Sequence, residues 1–387
     1  MAEPRLTRWT VLALVTTVQV TAAFATQGLA ALTGAMHDAF GLSGAATGLL
    51  VSAVGAAPVV SLFVVGDLVD RHGERWVLAA GSLIMALGLS GAAAAPNYAV
   101  VLACLVLAGA GYSTVQPGGS KSISVWFPDH RGVAMGIRQA GLPIGGAVAA
   151  AVLPALGWRT AFTLAACVAL AGGATFTLIY RAPKTQNRTR TSLLARLIET
   201  LREPWLRPIL ISGVPLVGTQ FALTAHLMLF TREHFHRSLS ESALLLTVMQ
   251  TAGVAGRILL AAWSDRTQAS RLQIVRYCMA ASAAALLFLP VLPPTTPALA
   301  LAAATAFAGF WSLGWYGPWV AHIADAAPGH ATGRALGAAM AANQVAIISL
   351  PPLIGLAHDL THTYRFGWWT LAAALTLTAL ALSRRRG

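Results

Sequence analysis

Charge is what this sequence lacks. Asp, Glu, Lys and Arg together make up 10% of 387 residues, and the 13 acids are outnumbered by 26 basic residues. A soluble chain carries about 25% charged residues, so a soluble protein of this length is excluded. Cysteine is nearly missing as well. Cys104, Cys167 and Cys278 each fall inside an apolar run, which excludes a disulfide framework and leaves them as small packing residues. The ten-residue segments of alternating polarity that build a membrane barrel are also lacking. What is present is 56% hydrophobic residues, in apolar runs of helix-spanning length that recur from Trp9 to Leu382. These observations imply a polytopic helical membrane protein.

Twelve spans are expected: Trp9–Thr33, Ala45–Val69, Trp76–Ala95, Tyr98–Val125, Gly132–Leu156, Arg159–Tyr180, Pro208–Phe230, Ser242–Trp263, Leu272–Leu289, Pro297–Ala324, Gly333–Ala357 and Phe366–Leu382. The opening stretch, with Ala23-Phe24-Ala25 after an apolar run, imitates a cleavable signal peptide, but the spans downstream favour an uncleaved first helix. Residues 181–207 form the one long polar segment and separate residues 1–180 from 208–387, six spans each. Within it, Leu193–Leu201 has helical spacing; a helix along the membrane surface and a solvated linker both fit.

Cytoplasmic loops collect Lys and Arg. With the N-terminal side taken as inside, nineteen of the 26 basic residues lie inside. Arg159, Arg232, Arg237 and Arg365 lie outside, and Lys121, Arg138 and Arg257 lie within spans. Both termini are therefore expected in the cytoplasm of a multi-pass cell-membrane protein, the inner membrane in a bacterium. The net charge of +13 is then topological and needs no nucleic acid to explain it.

The halves repeat each other. Gly66-Asp67-Leu68-Val69-Asp70-Arg71-His72-Gly73-Glu74-Arg75 follows the second span, and Trp263-Ser264-Asp265-Arg266 follows the eighth, with the Asp-Arg pairs 195 residues apart. Gly132 and Gly136 open the fifth span, and Gly333 and Gly337 open the eleventh, 201 residues later. Together with Trp126–Gly136, Gly157–Phe162 and the Gly256-Arg257 run, these motifs resemble the major facilitator superfamily over the whole chain. Gly66, Asp70, Arg71, Gly73 and Arg75 match its loop signature. The resemblance implies an all-α membrane protein of twelve transmembrane helices, in two six-helix bundles related by a pseudo-two-fold axis, moving by rocking-bundle alternating access. It also implies a monomer without a cofactor. A carboxylate at Asp70 is expected to pair with Arg131 or Arg75, or to cap the eleventh helix near Gly333, biasing the equilibrium between states. With Asp265 and Arg266 these are the candidate gating residues; a purely topogenic basic loop is the plainer reading.

Ionisable residues inside spans are functional candidates. Arg257 lies roughly 12 Å and Arg138 roughly 10 Å from the cytoplasmic ends of their helices by helical rise, whereas Lys121 is near enough to snorkel. No Asp or Glu stands at mid-depth in any span. An anionic substrate would compensate such cations, and a guanidinium binds a carboxylate in a bidentate fork. Arg257, eight residues before Asp265, is similar in placement to the substrate-binding arginine of monocarboxylate and oxalate transporters; gate packing is the alternative. Polar and aromatic partners are Tyr112, Gln116, Gln220, Trp315, Tyr316 and Asn343, although aromatics at such spacing more often pack. His226 is a candidate proton carrier or a packing residue. His358 with His362 beside Asp359, and His234 with His236, form no complete metal set, so solvated loops are expected there. Gly141, Pro143, Gly145 and Gly146 loosely resemble the Gly-Pro signature of drug/proton antiporters. The expected activity is secondary transport of a small organic anion, a carboxylate, with protons as coupling ion. The alternative is a multidrug or metabolite exporter. No nucleophile–base cluster suggests an enzyme.

Overall fold

The computed structural model describes residues 7–127, 131–181, 203–267, 270–327 and 332–383, apart from the side chains of residues 60, 62, 63, 131–133 and 332–334. The segment Leu193–Leu201, most of the polar linker and the side chain of Arg131 lie outside these residues.

The described chain is all helix: α1 Arg8–Phe40, α2 Gly44–Ala56, α3 Pro58–His72, α4 Glu74–Ala94, α5 Tyr98–Tyr112, α6 Val115–Trp126, α7 Arg131–Val152, α8 Trp158–Ile179, α9 Arg207–Phe235, α10 Leu239–Arg266, α11 Arg271–Phe288, α12 Ala298–Gly314, α13 Tyr316–Ala326, α14 Thr332–Thr361 and α15 Arg365–Ser383. Among the described residues, eleven helical stretches are long and apolar enough to cross a membrane, and the shorter apolar α2 marks the remaining expected span. Leu299 is 84% exposed, Leu360 73% and Leu178 72%; such side chains on a helix surface suit lipid and not water.

Three spans expected as single helices are interrupted, and proline accounts for each. Proline has no N–H to donate four residues back. Pro58 separates α2 from α3, Pro117 stands just past the break between α5 and α6, and Pro318 just past the break between α12 and α13. The last two prolines are 201 residues apart, the spacing of the paired glycines at the fifth and eleventh spans. Close helix contacts repeat too. A Cβ on Gly109 would strike the carbonyl of Val54, and one on Gly309 the carbonyl of Met249; Val54 and Met249 are 195 residues apart, the offset of the two Asp-Arg pairs.

Helix ends are capped locally. Ser238 and Glu241 form a reciprocal capping box at the start of α10, and Ser270 accepts from Gln273 N–H at the start of α11. These side chains satisfy backbone donors that a helix start leaves unpaired.

Contacts divide the chain into two compact units. The first comprises Met1–Gly28, Ala53–Ala149 and Leu156–Thr191, the second Leu29–Ser52, Ala150–Ala155 and Ser192–Gly387. In the first, α4 packs against α5 and α8; in the second, α10 packs against α12, α9 against α14 and α11 against α15. The partition does not run along the polar linker, because the facing ends of α1 and α2 group with the second unit.

Candidate functional site

The first unit buries a cation completely. Arg138, on α7, has no exposed surface. Its Nη2 donates to Gln19 Oε1 at 3.0 Å, to the Val115 carbonyl at 2.8 Å and to Gln116 Oε1 at 3.1 Å, and its Nη1 reaches Ser120 Oγ at 3.4 Å. Gly119 makes this possible: a Cβ there would lie 2.5 Å from Arg138 Nε. Gln139 adds an N–H to Gln116 Oε1 at 3.2 Å. Tyr112 and Gln116 are half-buried on either side of the α5–α6 break. Burying a guanidinium is costly unless its donors are met; here amide and backbone oxygens meet Nη2 and a serine hydroxyl meets Nη1.

The second unit holds the other arginine. Arg257, on α10, is 7% exposed. Its Nε donates to the Leu313 carbonyl at 3.1 Å, and its guanidinium carbon lies 5.2 Å from the centre of the Tyr316 ring. Leu313 belongs to the last turn of α12, where carbonyls lose their intrahelical donors, so the helix break both presents the oxygen and turns Tyr316 toward the cation. The neighbouring aromatics are tied to α9: Trp315 Nε1 donates to Gln220 Oε1 at 3.1 Å, and Trp319 Nε1 to the Ile209 carbonyl and Ser212 Oγ, both at 3.2 Å. Asn343 is buried, with its Oδ1 beside Gly213. His226 is buried with Nε2 2.7 Å from the Pro351 carbonyl, against Tyr364.

Among the candidate gating residues, Asp70 is expected to meet Arg75 or Arg131, and the side chain of Arg131 lies outside the described residues. Asp70 meets Lys121 at 3.1 Å, and Lys121 Nζ also donates to the Val69 carbonyl at 2.8 Å. Lys121 therefore reaches back to α3 instead of extending toward solvent. Arg75, one of the partners expected for Asp70, donates to the Thr177 carbonyl at 2.7 Å and stacks over Trp76. Arg71 pairs with Asp67 one turn back. Asp265 meets Arg271 at 3.4 Å, and Arg271 also meets Asp325 at 3.2 Å; Arg266 is exposed and Gly66 half-buried. Gly73 joins α3 to α4 with φ 78° and ψ 153°, a conformation essentially confined to glycine.

Sequence inspection missed several pairs. The Tyr180 hydroxyl donates to Glu74 at 2.5 Å, both residues being buried. His358, expected in a solvated loop, is half-buried on α14 with Nε2 2.7 Å from Glu233. His234 Nε2 is 3.0 Å from the Leu292 carbonyl and its ring stacks on Phe230. These pairings join residues 58 to 125 positions apart, and no local signal announces them. Among the described residues no three His, Cys, Asp or Glu converge as a metal would need.

Comparison with known proteins bears on what these units are. Residues 15–351 match the family model described as Major Facilitator Superfamily. The chain belongs to the major facilitator superfamily. It is thus a multi-pass membrane protein of that superfamily, and its described helices take the family fold. The structure matches a bacterial homologue of the human lysosomal transporter Spinster, in an inward-facing and occupied conformation, with a TM-score of 0.80 at 14% identity over 100% of this chain and 98% of that one. The uncharacterized MFS-type transporter Rv2994 of Mycobacterium tuberculosis (strain ATCC 25618 / H37Rv) is 30% identical over 293 residues, 73% of this chain. This chain spans 64% of that relative's length. The probable L-galactonate transporter of Escherichia coli (strain K12) is 30% identical over 132 residues, 33% of this chain and 29% of the relative.

Proposed function

We propose that this major facilitator superfamily protein is a secondary active transporter of a small organic anion, a carboxylate, with Arg257 as its charge partner. The observation that carries the reading is the setting of Arg257. A buried arginine on a membrane-spanning helix marks a substrate path by default, and this one is oriented by a backbone carbonyl and an aromatic ring. A guanidinium held in that way offers a preorganised fork to a carboxylate. The relative named for L-galactonate, a sugar-acid anion, agrees with the charge of the proposed substrate.

The proposed cycle is alternating access by rocking of the two six-helix bundles, residues 1–180 and 208–387, and it involves no covalent chemistry. Import with a proton is the proposed mode, because a proton offsets the substrate's charge. The proposed setting is a monomer in the cell membrane of a bacterium, the inner one, with both termini cytoplasmic.

Counterflow into proteoliposomes loaded with a panel of mono- and dicarboxylates, wild type beside Arg257→Ala, tests the reading. Accumulation of one labelled anion that is lost in Arg257→Ala is the expected result. If folded wild-type protein exchanges no anion, the carboxylate reading falls and export of uncharged or cationic compounds replaces it.

A further inference from the structure

We infer that Arg138 is a positioning residue and that Gln116 is the specificity-determining donor of the first unit, its amide N–H groups meeting the substrate's anionic oxygen. The inference deepens the proposed anion transport and rests on that reading.

Arginine has five N–H donors and no acceptor. A glutamine that meets it must therefore present its oxygen, which decides the orientation of the amide. Gln116 Oε1 takes Nη2 of Arg138 at 3.1 Å and Nε2 of Gln139 at 3.2 Å. With two donors on the oxygen, the two hydrogens of Gln116 Nε2 are turned away from the guanidinium. Among the described residues that nitrogen has no hydrogen-bond partner, and Gln116 is half-buried where Arg138 is sealed at 0% exposure. Gln19 is oriented by the same guanidinium at 3.0 Å, and its Nε2 is buried with no partner among the described residues. A buried donor left unmatched is costly, and an entering acceptor oxygen removes that cost.

Direct contact between substrate and Arg138 has less support. Two hydrogens on Nη2 already serve three protein oxygens, and the helix of Gly119 lies against Nε. Arg138 acts instead through the amides, holding their oxygens and so aiming their donors. The ligand chemistry selected is an acceptor-only anionic oxygen; an ammonium or other donor meets the wrong end of the amide.

Gln116→Glu is the decisive variant, since it replaces the outward donor with an acceptor of nearly identical shape while offering Arg138 an ionic partner. Initial-rate uptake of the transported anion should show KM raised about tenfold or more, with Vmax within about twofold and a thermal midpoint equal to or above the wild type. Gln116→Met, which removes the donor without adding charge, should raise KM in the same direction. Arg138→Lys should raise KM less than Arg138→Met, because it keeps a donor toward the Gln116 oxygen. An unchanged KM in both Gln116 variants, measured with an anion the wild type transports, overturns the inference. The absence of anion transport by the wild type would instead sink the reading it rests on.

Discussion

The Asp359 carboxylate caps the helix that begins at Gly44. Its Oδ1 accepts the Gly44 N–H at 2.7 Å and its Oδ2 the Ala45 N–H at 2.9 Å, across 315 residues of sequence. A helix start exposes unpaired N–H groups and a positive dipole end, which an anion satisfies. The backbones approach closely here, since a Cβ on Gly355 would strike the Gly44 carbonyl. Farther along, Ser52 Oγ donates to the Ile347 carbonyl at 3.2 Å; Pro351 has no N–H for that oxygen, so the proline creates the vacancy the serine fills. Beside them Arg232 pairs with Asp38 at 3.0 Å and His358 with Glu233.

Asp359→Ala should therefore lower stability by about 2 kcal/mol. Asp359→Asn, which keeps one acceptor oxygen, should fall between it and the wild type. Thermal unfolding in detergent reads both, and identical midpoints for all three proteins would show that the cap adds nothing.

The turn signature separates a conformational requirement from a charge. Gly73→Ala forces a side chain into a glycine-only conformation and should cost about 1–3 kcal/mol. Asp70→Asn removes an ion pair whose Asp70 side chain is 72% exposed, which changes stability by less than about 1 kcal/mol. Equilibrium unfolding of the two variants should rank them in that order; the reverse order would assign the larger stabilising role to the charge.

Tyr316 supports the guanidinium of Arg257 from one side. Tyr316→Phe keeps the aromatic face and should leave the substrate KM nearly unchanged. Tyr316→Ala removes an interaction of about 0.5–2 kcal/mol, which corresponds to about a 2- to 30-fold rise in KM. Equal KM values for Ala and Phe variants would exclude the ring from substrate affinity.

The buried pair Trp315 and Gln220 permits a double-mutant test. Trp315→Phe leaves the Gln220 oxygen without its indole donor and should destabilise by about 1–3 kcal/mol. Adding Gln220→Leu removes the stranded polar group and should recover part of the loss. A double variant as unstable as the sum of its parts would mean that the hydrogen bond is not what couples them.

The two buried arginines of the candidate site were legible one residue at a time. The scarcity of charge makes Arg138 and Arg257 stand out within apolar runs, and both are buried on spanning helices. The repeated glycines point to close packing, whereas the breaks near Pro58, Pro117 and Pro318 fall in three spans expected to be continuous. Partners were not legible. Lys121 finds Asp70 across 51 residues, Arg138 finds Gln19 across 119, and Asp359 finds Gly44 across 315. The chosen partner depends on which helix faces which, at what depth and with what side-chain reach.

By itself the sequence determined the solvent and the secondary structure: long apolar runs in lipid must close their backbone hydrogen bonds internally, and helices do so with local contacts only. Only the tertiary structure decided how the polar groups are matched. Hydrogen bonding requires an approach within about 3 Å in a suitable direction, and such geometry between distant residues is a property of packed helices that no spacing along the chain encodes.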